Sequence, residues 1–144
     1  MDMFTSMRIS ASALRAQRIR LDTISSNMAN SETTRTPQGG PYRRKMVVFE
    51  PQPMSFGDHM ARSRAERVAE GVHVAGIVSD QSQFKLVYDP KHPDANADGY
   101  VALPNVDILK ETTDMMLATR AYDANVTAIK AAKRMALKSL EIGR

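Results

Sequence analysis

Cysteine is absent from this sequence, which removes disulfides, zinc–thiolate sites and cysteine nucleophiles together. Tryptophan is absent too, and only 6% of the residues are aromatic, so a large core built around rings is not available. No run of about 18 apolar residues occurs, so no membrane-spanning helix is expected. The first residues, MDMFTSMRISASALRAQRIR, carry an acid at Asp2 and repeated arginines without an uninterrupted apolar stretch. They do not resemble a cleaved signal peptide, and an exported form of this chain would need another route. Charge of one sign is also scarce. Lys and Arg total 20 against 16 Asp and Glu, a net +4 over 144 residues, well short of a dedicated nucleic-acid binder. Neither a nucleic-acid partner nor membrane insertion is expected.

Apolar content comes instead from Ala, Val, Leu and ten Met. Met packs adaptably and suits either a core or a surface that meets several partners. Over residues 3–28, Met7, Leu14, Leu21 and Met28 recur every seven residues, with Met3, Phe4, Ala11 and Ile24 beside them and no internal Gly or Pro. This predicts an amphipathic helix about 40 Å long whose heptad period suits a coiled-coil-like seam. Thr36-Pro37-Gln38-Gly39-Gly40-Pro41 forces the helix to end before it. Just ahead of that punctuation, ISSNMANSETT (Ile24 to Thr34) gathers short polar side chains. Asn27 or Asn30 there can bond backbone groups left open where the helix runs out.

The centre of the chain reads as short strands. They are Met46–Phe49, the alternating run Val72–Ser79, Phe84–Tyr88 and Tyr100–Leu103, with turn residues between 89 and 99. Residues 55–71 are polar and charge-rich, with Asp58 as a possible cap, and are expected to form a mobile insertion. A second long helix is predicted over 105–142, capped by Asn105 or Asp107 and stopped by Gly143. Ile108, Met115, Tyr122, Ile129 and Ala136 recur at seven, and Thr112, Thr119, Val126 and Leu140 follow four residues behind members of that series. At 1.5 Å per residue it spans about 50 Å. The expected fold is therefore mainly α with a small β-rich middle. Residues 1–30 and 105–144 form long terminal helices that pair as a coiled-coil-like layer. Residues 31–104 form a connector and β-rich middle, with a flexible insertion near 51–70. Helices of this kind draw their stability from packing, so their ends are expected to be partly disordered in a free monomer.

Few groupings carry chemistry. DANADG (Asp94 to Gly99) matches the first half of a calcium loop, but Asn105 stands where such a loop needs a bidentate Glu, and prolines surround it. A turn between strands is the plainer reading. His59, His73 and His92 have no ligand spacing, and no phosphate-cradling or nucleophile motif appears. Glu66 and Glu70 sit among arginines and suit a solvated face. The basic run YRRK (Tyr42 to Lys45) suits a protected strand edge or an acidic partner contact. No catalytic, cofactor or metal residue is assigned.

SALRAQRIRLDTISSNMANSETTRT (Ser12 to Thr36) resembles the N-terminal signature of flagellar rod and hook proteins. DMMLATRAYDANVTAIKAAKRMALKSLEIGR (Asp114 to Arg144) resembles their C-terminal helix, and FKLVYDPKHPDANADGYVALPNVDILKE (Phe84 to Glu111) the segment typical of the proximal-rod branch. TTRTPQGGPYRRK and the short length point the same way. Asp123, where Gln or Glu is more usual, and Met28, where Leu is usual, are the departures. The resemblance implies a non-enzymatic structural subunit that assembles helically with copies of itself and other rod proteins. The rod would run from the basal ring, where an adaptor meets it, through the periplasm, after export of its subunits through the flagellar type III apparatus without a cleaved signal. Packing residues would then carry the function: Met7, Leu14, Leu21, Ile24, Asn27, Met28 and Asn30 on the first helix, and Ile108, Met115, Arg120, Tyr122, Asn125, Val126, Ile129 and Leu140 on the second. The rival readings are an adaptor that docks a partner helix between its two helices, and a calcium-dependent enzyme using the Asp94–Asp98 turn.

Overall fold

A computed structural model describes residues 3–52, 57, 60 and 71–142. Helix α1 spans Met3–Ala29, followed by strands β1 (Lys45–Pro51), β2 (Val72–Ser79), β3 (Lys85–Tyr88) and β4 (Tyr100–Leu103), and helix α2 spans Ile108–Ile142. The chain is thus two long terminal helices around a small β-rich middle, as the patterning predicts. The insertion expected near 51–70, with its cap at Asp58, lies largely outside the described residues, as does the stop at Gly143.

Both helices are long because nothing within them breaks the ladder. Asp107 caps α2, its Oδ1 accepting the Leu109 N–H at 3.0 Å. Asn105, the alternative cap, is used elsewhere. At the end of α1 the Asn30 N–H is shared between the carbonyls of Ser26 and Asn27, and the Asn30 side chain donates to Ser26 O at 2.8 Å. Thr33 Oγ1 then bonds Asn30 Oδ1, which turns the chain away from the helix axis.

The helices run antiparallel, since Asn27 near the end of α1 meets Glu111 near the start of α2, and Arg20 meets Asp114. Among the described elements α2 packs on α1 alone, whereas α1 also packs on β1 and β2. The buried positions are mostly small or polar: Glu111, Ala118 and Ala132 on α2, and Ser10, Ala16, Thr23 and Asn27 on α1, with Ile24 the large apolar side chain among them. Small side chains let the two backbones approach, and the larger Met7, Leu14, Leu21, Met28, Met115, Tyr122, Val126 and Ile129 flank the contact half-buried. At 35 residues against 27, α2 is about two turns longer than its partner. Leu137 and Leu140, near its free end, are exposed.

Strands β1 and β2 form an antiparallel ribbon whose register slips between Val48 and Phe49, so Ala75 has no partner opposite it. Such a bulge bends and twists the ribbon. Ser12 ties the ribbon to α1, because its hydroxyl donates to Ile9 O and accepts the Val72 N–H at 3.0 Å. Strands β3 and β4 form a second antiparallel ribbon. Tyr88 and Tyr100 pair across it edge to face, with ring centroids 5.3 Å apart. Gly99 closes its loop at φ +78°, and a Cβ there would sit 2.9 Å from the Tyr88 ring. Gly99→Ala is expected to cost about 1–2 kcal/mol, chiefly from the left-handed backbone, because the exposed Tyr88 ring is free to move aside. Thermal unfolding of the variant beside the parent checks this, and an unchanged midpoint counts against it.

Candidate functional site

The feature that organises the molecule is a polar joint where α1, β1 and α2 meet. Asn27 is 1% exposed and uses its whole amide. Nδ2 donates to Lys45 O at 2.8 Å and to Glu111 Oε2 at 3.0 Å. Oδ1 accepts the Lys45 N–H at 2.9 Å and the Tyr42 hydroxyl at 3.0 Å. The side chain thereby pairs with Lys45 as a neighbouring strand would, and it anchors the first residue of β1 to the helix. Of the two amides offered for the end of α1, Asn30 finishes the helix, and Asn27 starts β1.

Glu111 is fully buried, which a carboxylate tolerates only when paired and hydrogen-bonded. Its second oxygen takes Arg44 Nε. The Arg44 guanidinium also reaches Asp114 at 3.4 Å and Asp80 at 3.8 Å, and Asp114 in turn meets Arg20 at 3.4 Å. Asn105 completes the frame. Its Oδ1 accepts the Arg44 N–H at 2.8 Å, and its Nδ2 donates to Asp80 O and Ser82 Oγ. The Ser82 N–H and hydroxyl, bonded to Asp80, hold that carboxyl below the ordinary aspartate range, with Arg44 adding to the effect.

The YRRK run is largely absorbed by this frame. Tyr42 bonds Asn27, and Arg44 is enclosed by three carboxylates. Arg43 lies 4.3 Å over the Phe84 ring and donates to Asp80 O. Lys45 keeps its ammonium at the surface, 5.8 Å from the Tyr42 ring. The DANADG turn is also engaged. Asp94 accepts the Thr34 hydroxyl at 2.7 Å and pairs with Arg35, tying the β3–β4 loop to the connector after α1. Among the described residues no three His, Asp or Glu side chains converge to hold a metal ion.

Of the sequence-predicted packing residues, Asn27 and Ile24 are buried. Asn30 and Asn125 are half-buried, the latter bonded to Ala121 O. Ile108 and Leu140 are 53% and 71% exposed, and Arg120 is exposed as well. Arg20, Arg44, Asp80, Asn105, Glu111 and Asp114 were not singled out as site residues by the sequence reading.

The two helices that meet at this joint each match a known family segment. Residues 7–35 match the family model described as flagella basal body rod protein, and residues 97–142 the one described as flagellar basal body rod FlgEFG protein C-terminal. The chain is 51% identical to the flagellar basal-body rod protein FlgC of Bacillus subtilis, over the full length of both. It is 44% identical to the protein so named in Borreliella burgdorferi, over 99% of this chain and 98% of that one. For the one from Salmonella typhimurium the figure is 40% over 94% of each. The chain belongs to the flagellar basal-body rod protein family.

In this rod-family chain the joint connects the two matched segments through residues outside both. Arg20 and Asn27 come from the first, Asn105, Glu111 and Asp114 from the second, and Arg44, Lys45 and Asp80 from the connector. The Asp94 tether has a pH signature. Its bond from Thr34 holds the carboxyl below the ordinary aspartate value, with Arg35 adding to the effect. A group with a depressed folded pKa contributes stability that is present above its unfolded value and is lost as pH falls through the folded one. Thr34→Val is therefore expected to flatten the acid limb of stability below about pH 4 and change little near neutrality. Urea midpoints measured across that range decide it, and parallel acid limbs would refute it.

Proposed function

We propose that the chain is a structural subunit of the proximal part of the flagellar rod. It is a rod protein of the flagellar basal body and assembles with other rod proteins. The reading is carried by full-length likeness to named rod proteins. It agrees with a fold that leaves Leu109, Met116, Leu117, Met135, Leu137 and Leu140 of α2 exposed, since α1 covers only one side of that helix. Side chains of this kind are what neighbouring subunits would cover in a tube. Direct contact of α1 with α2 leaves no groove for a partner helix between them, and Asp94 is turned to Thr34 and Arg35. Neither the adaptor reading nor the calcium-enzyme reading has support.

In this proposal residues 1–30 and 105–144 form the inner layer of the shaft and residues 31–104 an outer one. The chain passes through the flagellar type III apparatus unfolded and uncleaved. It is frayed at its ends as a monomer, and the rod it joins crosses the periplasm beyond an adaptor at the basal ring. It has no catalytic role. Leu21→Asp or Ile129→Asp is expected to abolish swimming while expression persists. Motile cells with normal basal bodies would overturn the packing role. Deletion should remove flagella, and the protein should copurify with basal bodies.

A further inference from the structure

We propose that the joint is an all-or-none latch: pairing of α1 with α2 at this end and docking of the connector onto them occur together or not at all. The argument rests on the geometry of Glu111 and stands apart from the flagellar reading. Glu111 is fully buried, and its two oxygens are taken by one group from α1, Asn27 Nδ2, and one from the connector, Arg44 Nε. Remove the connector and Glu111 loses its cation and keeps a single neutral donor from α1, so helix contact at this end no longer balances the cost of desolvating a carboxylate. Asn27 would lose Lys45 and Tyr42 in the same step, which leaves its carbonyl oxygen unpartnered inside the fold. Remove α2 instead and the guanidinium, 12% exposed, loses Glu111 and Asp114 and keeps only Asp80 at 3.8 Å. Neither half-formed state satisfies its charges, so the stable states are both contacts made or both open. The chain then has a built-in check. The connector takes its orientation only when the two terminal helices are already matched in register, because a shift of one helix against the other moves Glu111 and Asp114 away from Arg44.

Native-state hydrogen exchange on the full chain tests this. The amides of Arg44 and Lys45 report connector docking, because their acceptors are Asn105 Oδ1 and Asn27 Oδ1. Helical amides in 20–27 and 112–118 report pairing at this end, and those in 128–135 report its far part. Arg44→Met changes no helical residue. It is expected to speed exchange in 20–27 and 112–118 at least tenfold, by the factor seen at Arg44 and Lys45, while 128–135 change less than threefold. Glu111→Leu combined with Arg44→Met removes the stranded charge and should restore helical protection to within about threefold of the parent. Fast exchange confined to the connector in Arg44→Met overturns the latch, as does a double variant no better protected than the single. Should Arg44→Met fail to fold at all, recovery of helical circular dichroism in the double variant supports the coupling, and its absence refutes it.

Discussion

Ala118→Asp is expected to cost on the order of 4 kcal/mol and to unfold the helix pair in much of the population, since domains of this size have roughly 5–15 kcal/mol in hand. Ala118 is completely buried, and among the described elements α1 alone packs on α2. Aspartate there buries a charge and adds side-chain volume between two packed helices. Ala118→Leu isolates the volume effect, expected at about 1–3 kcal/mol. Ala118→Ser adds a single hydroxyl and should cost least. Leu140→Asp, although it adds the same charge to the same helix, is expected to shift the stability of the isolated chain by less than about 0.5 kcal/mol, because Leu140 is 71% exposed. Urea denaturation of the four variants followed at 222 nm gives the order directly. Incorporation into basal bodies then separates folding from assembly. A Leu140→Asp chain that folds normally yet is missing from purified rods would place that side chain at a subunit contact. One that incorporates normally would remove it from the assembly surface.

The contrast between Ala118 and Leu140 shows what the sequence made legible and what it did not. The two helices were readable because heptad recurrence over 3–28 and 108–140 is uninterrupted by Gly or Pro, and the strands because alternation is bounded by turn residues. The phase of the helix contact was not. Large apolar side chains mark a stripe, but most of the fully buried positions are small residues beside it, while Met, Leu and Tyr are left half-buried at the sides. The joint was less legible still. Its charged members look like a solvated face when read locally. Their partners lie 84, 67 and 94 residues away, in the pairs Asn27–Glu111, Arg44–Glu111 and Arg20–Asp114, and no local period encodes separations of that size. What the sequence did carry was the density of short polar groups around Asn27, which marked the right place without saying which amide would take which bond. Two amides at a helix end read as alternatives for finishing it; Asn30 does so, and Asn27 serves as a strand partner for residue 45.

Asn27→Asp is expected to be the most damaging isosteric change in the chain. The substitution keeps the shape of the side chain and replaces Nδ2 with a second oxygen. That oxygen would sit 2.8 Å from Lys45 O and 3.0 Å from Glu111 Oε2, where two donated hydrogen bonds stood before. Both become contacts between acceptors, one of them between two carboxylates with water excluded. A loss of about 3–5 kcal/mol near neutral pH follows. Asn27→Leu should cost less, since it leaves Lys45 and Glu111 short of partners without adding a charge. The sign of the pH dependence distinguishes this account from loss of packing. Burial and the neighbouring carboxylate both raise the folded pKa of the new aspartate above its unfolded value. Its favourable state is then the protonated one, whose O–H donates to Glu111. Stability is retained at low pH and lost as pH rises through the folded pKa, opposite in sense to Asp94. Urea midpoints of Asn27→Asp should therefore approach those of the parent on acidification, while those of Asn27→Leu should not. If the two variants run parallel across pH, the amide acts through its volume and not through the donors it aims at Lys45 and Glu111.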